Sequence, residues 1–300
     1  MQSNNSIVMC GCHEAGVPLI KFLISKGVRF SYFVTITEEQ AKKNKVSGYF
    51  NYSEIAKENS IPIYIPHTYT LKSEEDRSFF EEQKFDLLIQ GGWQRLFPDF
   101  VLESLKIGAI GIHGSSDYLP KGRGRSPLNW SLIEGKKRFI LSAFLMKPGV
   151  DDGDVFATTD FDINEWDDIR TLYYKVGIAC KRMIWKNLEN LLLGKLKHLH
   201  SQVGTPSYYP KRTEEDGAIC WETMDVHQVY NLIRATTKPY PGAFAVIEGR
   251  TTKIWKSRVF DTRITYPENS YGDVVEDFGV HKIINCRGGL LLLEDWSCAE

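Results

Sequence analysis

The sequence predicts an α/β protein, a doubly wound and mostly parallel sheet followed by a smaller all-β unit. Three observations predict it. Apolar runs alternate with amphipathic stretches until His113, the pattern of parallel strands covered by helices on both faces. A long stretch of helical period then fills Asp168–Leu193, with Leu172, Val176, Ala179, Met183, Leu188 and Leu192 as its apolar stripe. Beyond it, short β-type runs follow one another closely, as in a small barrel. A length of 300 residues suits two domains. They are expected at 1–200 and 201–300, with 194–216, which has no clear periodicity, as the linker.

Each element has its own signal. Ser6–Gly11 is apolar and ends in a turn, and Leu19, Ile20, Leu23 and Ile24 share one helical face, closed by Gly27. Phe30–Thr35, Ile61–Ile65, Phe85–Ile89 and Ile107–His113 read as the next strands. Helices are expected at Ser53–Glu58, Ser73–Gln83 and Pro98–Leu105. Gly114–Arg125 is rich in glycine and basic residues and reads as a mobile loop. Ser126-Pro127 then opens a helix, with Ser as cap and Pro at the first position, and Gly135 stops it. Phe139–Lys147 and Val155–Phe161 read as strands. In the last third, a helix at Met224–Ala235 precedes strands at Phe244–Glu248, Lys253–Val259, His281–Asn285 and Leu290–Glu294.

Composition narrows the function. Lys and Arg number 37 against 38 Asp and Glu, a net charge of −1. That balance excludes a general polyelectrolyte and points to a localised site. Met1–Ser6 carries no basic residues ahead of an apolar stretch, unlike a signal peptide. The apolar runs Phe85–Ile89 and Leu290–Leu293 are far too short to span a membrane. The six dispersed cysteines are expected to be reduced and structural, so a cytoplasmic setting is expected. Gly11–Gly16 lacks a full Gly-x-Gly-x-x-Gly, which argues against a dinucleotide site. No metal is expected, since His198 and His200 at i, i+2 would not face each other on a helix.

In an open α/β sheet, ligands bind outside the carboxyl ends of the strands. Four stretches lie there: Gly11–Glu14, Gln90–Arg95, His113 with its loop, and Val150–Asp154. His113 is the natural acid/base because imidazole titrates near neutral pH, and Asp151 would orient it. A single histidine at a strand end also fits a purely structural role.

The assembly of motifs is more specific. Gly108–Trp130 reads GAIGIHGSSDYLPKGRGRSPLNW, and Gly149–Asp154 reads GVDDGD. Together they resemble the folate-dependent formyltransferases, whose pattern is Asn-x-His, a Leu-Pro-x-x-Arg-Gly loop and a later Asp-x-Gly turn. Gly92–Pro98 is similar to the family's turn after the fourth strand, and Arg234-Ala235, Tyr240–Phe244 and Lys253–Trp255 resemble the start of its accessory barrel. The resemblance implies a Rossmann-like core with a C-terminal OB-like barrel, and transfer of a formyl group from 10-formyltetrahydrofolate to an amine. It implies catalytic roles for His113 and Asp151, and a folate slot lined by Trp93, Gln94, Arg95, Leu96, Val150 and Asp154, largely through backbone groups. By position, His13 and Glu14 suit contact with the acceptor sugar, and Lys121, Arg123 and Arg125 suit contact with folate or acceptor; a solvated loop is an equal reading for the basic residues, and favouring a helix start is at least an equal reading for Glu14.

One departure stands out. The family's Asn, which donates to the oxyanion, is Gly111 in this chain. Losing such a donor costs about 3 kcal/mol in a precedent oxyanion hole. Another group completes the hole, the position carries a substitution, or the chain binds without catalysing. Two extra residues in Ser115–Tyr118 favour the first.

The acceptor is expected to be a nucleotide-linked amino sugar, because Arg125–Trp130 resembles that branch of the family, with methionyl-tRNA as the alternative. Residues 201–300 hold 11 Lys and Arg against 14 Asp and Glu, a poor surface for tRNA phosphates. Trp221, Tyr240, Trp255 and Trp296 suit core or homodimer packing better than base stacking.

Overall fold

The computed structural model describes residues 5–298. The chain opens with β1 (Ile7–Cys10), α1 (Val17–Ser25), β2 (Tyr32–Val34), α2 (Glu38–Lys43), α3 (Ser53–Glu58) and β3 (Ile63–Tyr64). It continues with α4 (Glu74–Gln83), β4 (Leu87–Gln90), α5 (Asp99–Glu103) and β5 (Gly108–Ser115). Then come β6 (Arg123–Gly124), α6 (Pro127–Ile133), β7 (Arg138–Met146), β8 (Gly153–Asp162) and α7 (Ile169–Leu192). One seven-stranded sheet results, in the order β3-β2-β1-β4-β5-β7-β8. Its first five strands are parallel; β7 runs antiparallel to β5, and β8 antiparallel to β7. The sheet is therefore mixed but mostly parallel.

Both faces are covered, which explains why β1 and the Leu87–Ile89 run of β4 are continuously apolar. On one side Met9, Leu87 and Ile89 pack with Leu19, Leu23, Leu172 and Ile184. On the other, Val8, Cys10 and Leu88 pack with Ala41, Phe80 and Val101. Burial of each large aliphatic side chain contributes about 1.5–3 kcal/mol.

The sequence reading missed α2. Its cap is a reciprocal box in which Thr37 accepts from the Gln40 N–H while Gln40 accepts from the Thr37 N–H. Ser126 does not cap α6 with its side chain; it takes a left-handed φ of 55° and leaves helix initiation to Pro127.

A short β9 (Tyr208–Tyr209) precedes the second unit, which holds α8 (Val226–Thr236), β10 (Ala243–Ile247), β11 (Arg250–Asp261), β12 (Val274–Asp277), β13 (Lys282–Cys286) and β14 (Gly289–Cys298). Its antiparallel sheet runs β10-β11-β14-β13-β12, and no ladder joins the two edge strands among the described residues. β12, a partly exposed edge strand, also escaped the sequence reading. Of the cysteines, Cys220 and Cys298 are exposed, so burial accounts only for the other four.

Arg234 on α8 locks the two units together. It is 7% exposed and donates to the Asn164 and Asp167 carbonyls and to Asn231 Oδ1. Asn129 of α6 reciprocates by donating to the Ala235 carbonyl at 2.8 Å. Arg234→Ala strands these acceptors and is expected to cost about 2–4 kcal/mol, measured by urea unfolding.

Candidate active site

His113 lies near the end of β5, buried at 8% exposure. Its Nε2 is 2.8 Å from the Gly122 carbonyl, and its Nδ1 is 3.4 Å from Asp151 Oδ2. Both ring nitrogens thus face acceptors. A neutral ring can donate to one of them, and a doubly protonated ring to both, which is the geometry of a proton carrier.

Asp151 is held from several directions. Its φ is 49°, a left-handed backbone in the turn before β8 that costs an L residue energy and that Asp and Asn tolerate best. The Gly124 N–H donates to Asp151 Oδ2 at 2.9 Å. Gly124 has a φ of 100°, and a Cβ there would fall 2.4 Å from the Tyr209 carbonyl oxygen, so glycine is what allows that approach.

Part of the segment expected to be a linker packs against this site. β9 pairs in parallel with β6, through Arg123–Tyr208 and Gly124–Tyr209. Gln202 Nε2 donates to the Asp151 and Gly153 carbonyls, both at 3.0 Å. Gln202 Oε1 accepts from Arg123 Nη2 at 2.7 Å, and the same nitrogen donates to Asp152 Oδ1 at 2.9 Å. Arg123 is 7% exposed. Instead of reaching out to an acceptor, it faces inward and braces the Asp151–Gly153 turn.

Beside the pair lies a cleft of about 380 Å³. The Trp93–Phe97 turn forms one wall and Gly149–Asp152 the other, with Phe144 and Met146 of β7 between them. Leu96 and Val150 present apolar surface on the two walls, 57% and 41% exposed. Trp93 stacks on Phe97, and its buried Nε1 has no hydrogen-bond partner among the described residues. Gln94 donates to the Ser47 carbonyl, and Arg95 covers the Tyr69 ring at 4.8 Å. Arg125, exposed, and Lys147 add positive charge to the walls.

Other expected contacts are less direct. Asp154 is not part of the cleft wall; Lys147 at 2.7 Å and Ser201 at 2.9 Å hold its carboxyl below the usual range. His13 Nδ1 accepts from the Ala15 N–H, capping the short turn Glu14–Gly16, and its ring is close against Gly48. Burial lowers its pKa. Lys121 is exposed and 3.7 Å from Asp117. The rings of His198 and His200 do stack, 6.0 Å apart, because that segment is not helical.

Gly111 pairs with Phe144 across the β5–β7 ladder. A Cβ at position 111 would lie 2.5 Å from one Phe144 ring carbon and 2.6 Å from another. The space next to Gly111 that an Asn side chain would take is therefore filled by the Phe144 ring. Gln202, Asp152 and Phe144 were not legible as site residues: Gln202 sits in an aperiodic stretch, and Phe144 reads as an ordinary strand residue.

Comparison with known proteins places these features in a family. Residues 34–187 match the family model described as formyl transferase, and residues 211–299 match that of the formyl transferase C-terminal domain. The bifunctional polymyxin resistance protein ArnA of Wigglesworthia glossinidia brevipalpis is 29% identical over 84% of this chain, which spans only 38% of that protein. A methionyl-tRNA formyltransferase of Caldanaerobacter subterraneus is 29% identical over 85% of this chain and 81% of its own. A crystal structure of an N-formyltransferase from Helicobacter canadensis, in complex with folinic acid and dTDP-3-aminofucose, superposes with a TM-score of 0.73. It is 16% identical and covers 98% of this chain and 100% of its own, so it speaks to fold alone.

Proposed function

Because the chain belongs to the formyl transferase family, we propose that it moves a formyl group from 10-formyltetrahydrofolate to the amine of a nucleotide-linked amino sugar. The observation that carries this reading is the His113–Asp151 pair beside a slot walled by Leu96 and Val150. A flat pterin suits that slot: Leu96 and Val150 offer apolar contact, and Trp93 offers a buried N–H in need of an acceptor. When bound, the folate supplies an activated formyl carbon. His113 then holds or moves the proton that the amine loses and the folate nitrogen gains, and Asp151 fixes the ring and supports its charge. Phe144 occupies the place of the family's Asn, so the developing oxyanion relies on His113 and on other N–H groups or water.

The acceptor follows from charge and from a motif. Residues 201–300 have an acidic excess, 14 against 11, which disfavours tRNA phosphates, and Arg125–Trp130 is similar to the sugar-nucleotide branch. The relatives named methionyl-tRNA formyltransferases favour the second reading, an aminoacyl-tRNA acceptor. A folate-release assay with a panel of nucleotide amino sugars and with methionyl-tRNA separates them. Turnover with at least one sugar and none with the tRNA is expected. The reverse pattern overturns the acceptor. No turnover with either, alongside saturable folate binding, means a binding module without catalysis.

A further inference from the structure

Two arginines in this chain, Arg234 buried and Arg212 half-buried, contrast sharply. Arg234 meets an acceptor on both edges of its guanidinium. Arg212 meets none: its Nε and Nη1 are buried with no hydrogen-bond partner among the described residues. Asp216 is the nearby carboxylate, and it forms no ion pair with Arg212 among the described residues. Burial of a guanidinium is costly unless its donors are met, so an orphan of this kind is a group awaiting an anion.

Its surroundings supply further donors. The Arg212 Cζ lies 5.8 Å from the Tyr240 ring, and the Tyr240 and Tyr173 hydroxyls are 2.5 Å apart. Tyr173 is 39% exposed, so the group is open to solvent on one side. The location ties it to the active site. Arg212 follows Tyr209 by three residues, a span of at most about 11 Å. Tyr209 in turn pairs with Gly124, whose N–H holds Asp151. Burial raises the Tyr173 pKa, with Tyr240 and then Glu14, which follows the carboxyl end of β1, adding to it.

We propose that Arg212, with the hydroxyls of Tyr173 and Tyr240, binds the diphosphate of the acceptor while its amine reaches the His113–Asp151 pair. This rests on the reading of the acceptor as a nucleotide-linked sugar. A guanidinium fork matches two phosphate oxygens, and phenol hydroxyls add neutral donors once they exchange their mutual hydrogen bond for the ligand.

The test is calorimetric titration of the whole chain with inorganic pyrophosphate, set beside acceptor kinetics. The wild type is expected to bind saturably. Arg212→Ala should weaken binding about tenfold or more, Arg212→Lys less, and Tyr240→Phe by a few-fold, with folate affinity unchanged. Lys42→Ala, on exposed α2, serves as the control for general charge. Arg212→Met should keep or raise Tm, because it removes an unsatisfied buried charge; a bracing arginine would lower it. In turnover, KM for the nucleotide sugar rises while kcat and the folate KM hold. Wild-type pyrophosphate affinity in both Arg212→Lys and Arg212→Met, or no binding by the wild type, overturns the site. Failure of every nucleotide sugar as acceptor overturns the acceptor reading instead, and leaves the pyrophosphate titration to decide on Arg212.

Discussion

His113→Ala is expected to lower kcat/KM for formyl transfer about 10²–10⁴-fold, the range for a positioned acid/base. The fold should survive. The substitution frees the Gly122 carbonyl, which costs about 1–3 kcal/mol if that group finds no water. Asp151→Asn makes a sharper companion, because Asn tolerates the same left-handed backbone and the turn before β8 persists. Its amide lacks the charge that supports a protonated ring. The expected pattern is a fall in kcat with KM for folate little changed, as for an interaction made in the transition state. Steady-state kinetics on both variants, with circular dichroism to confirm folding, check this. Retained turnover in His113→Ala contradicts the role.

Gly111→Asn, which would restore the family's donor by sequence, is expected to damage this protein. Its Cβ would meet the Phe144 ring at 2.5 Å, far inside contact distance, in a ladder position with little room to yield. Overpacking of this kind costs about 1–3 kcal/mol, and thermal unfolding should show it. A double-mutant cycle with Phe144→Ala identifies the cause. Phe144→Ala alone opens a cavity at a 2%-exposed site and costs about 3–5 kcal/mol. In that background Gly111→Asn should cost less than in the wild type, with a coupling of about 0.5–3 kcal/mol. Additive effects would show that Phe144 is not what excludes a side chain at 111.

The parallel half of the fold was legible because its signals are local. Continuous apolar strands and 3.6-residue stripes belong to single segments, and β1, α4, β4 and α7 emerged close to their expected places. The His113–Asp151 pair was legible for a different reason: both residues belong to short motifs at strand ends. What stayed hidden depends on packing between distant segments. α2 has only six residues and one buried apolar position, so its cap carries more signal than its stripe. Arg123 reads from the sequence as a free cation, whereas Gln202, 79 residues away, holds it inward. Gly111 read as a missing donor, whereas the structure shows the gap filled from the neighbouring strand. Composition alone could not show that Gln202 and Tyr208–Tyr209 brace the candidate site, because the β6–β9 pairing involves only two residues on each side.

The proposed reaction passes a formyl group to a sugar amine beside His113 and Asp151. Its most direct test follows an isotopically labelled formyl group in a single turnover, with excess nucleotide amino sugar and wild-type enzyme or Asp151→Asn. The label is expected to appear as a formamide on the sugar with wild type and to stay on the folate with the variant. Label that ends as free formate, or that reaches the sugar equally fast with Asp151→Asn, contradicts it.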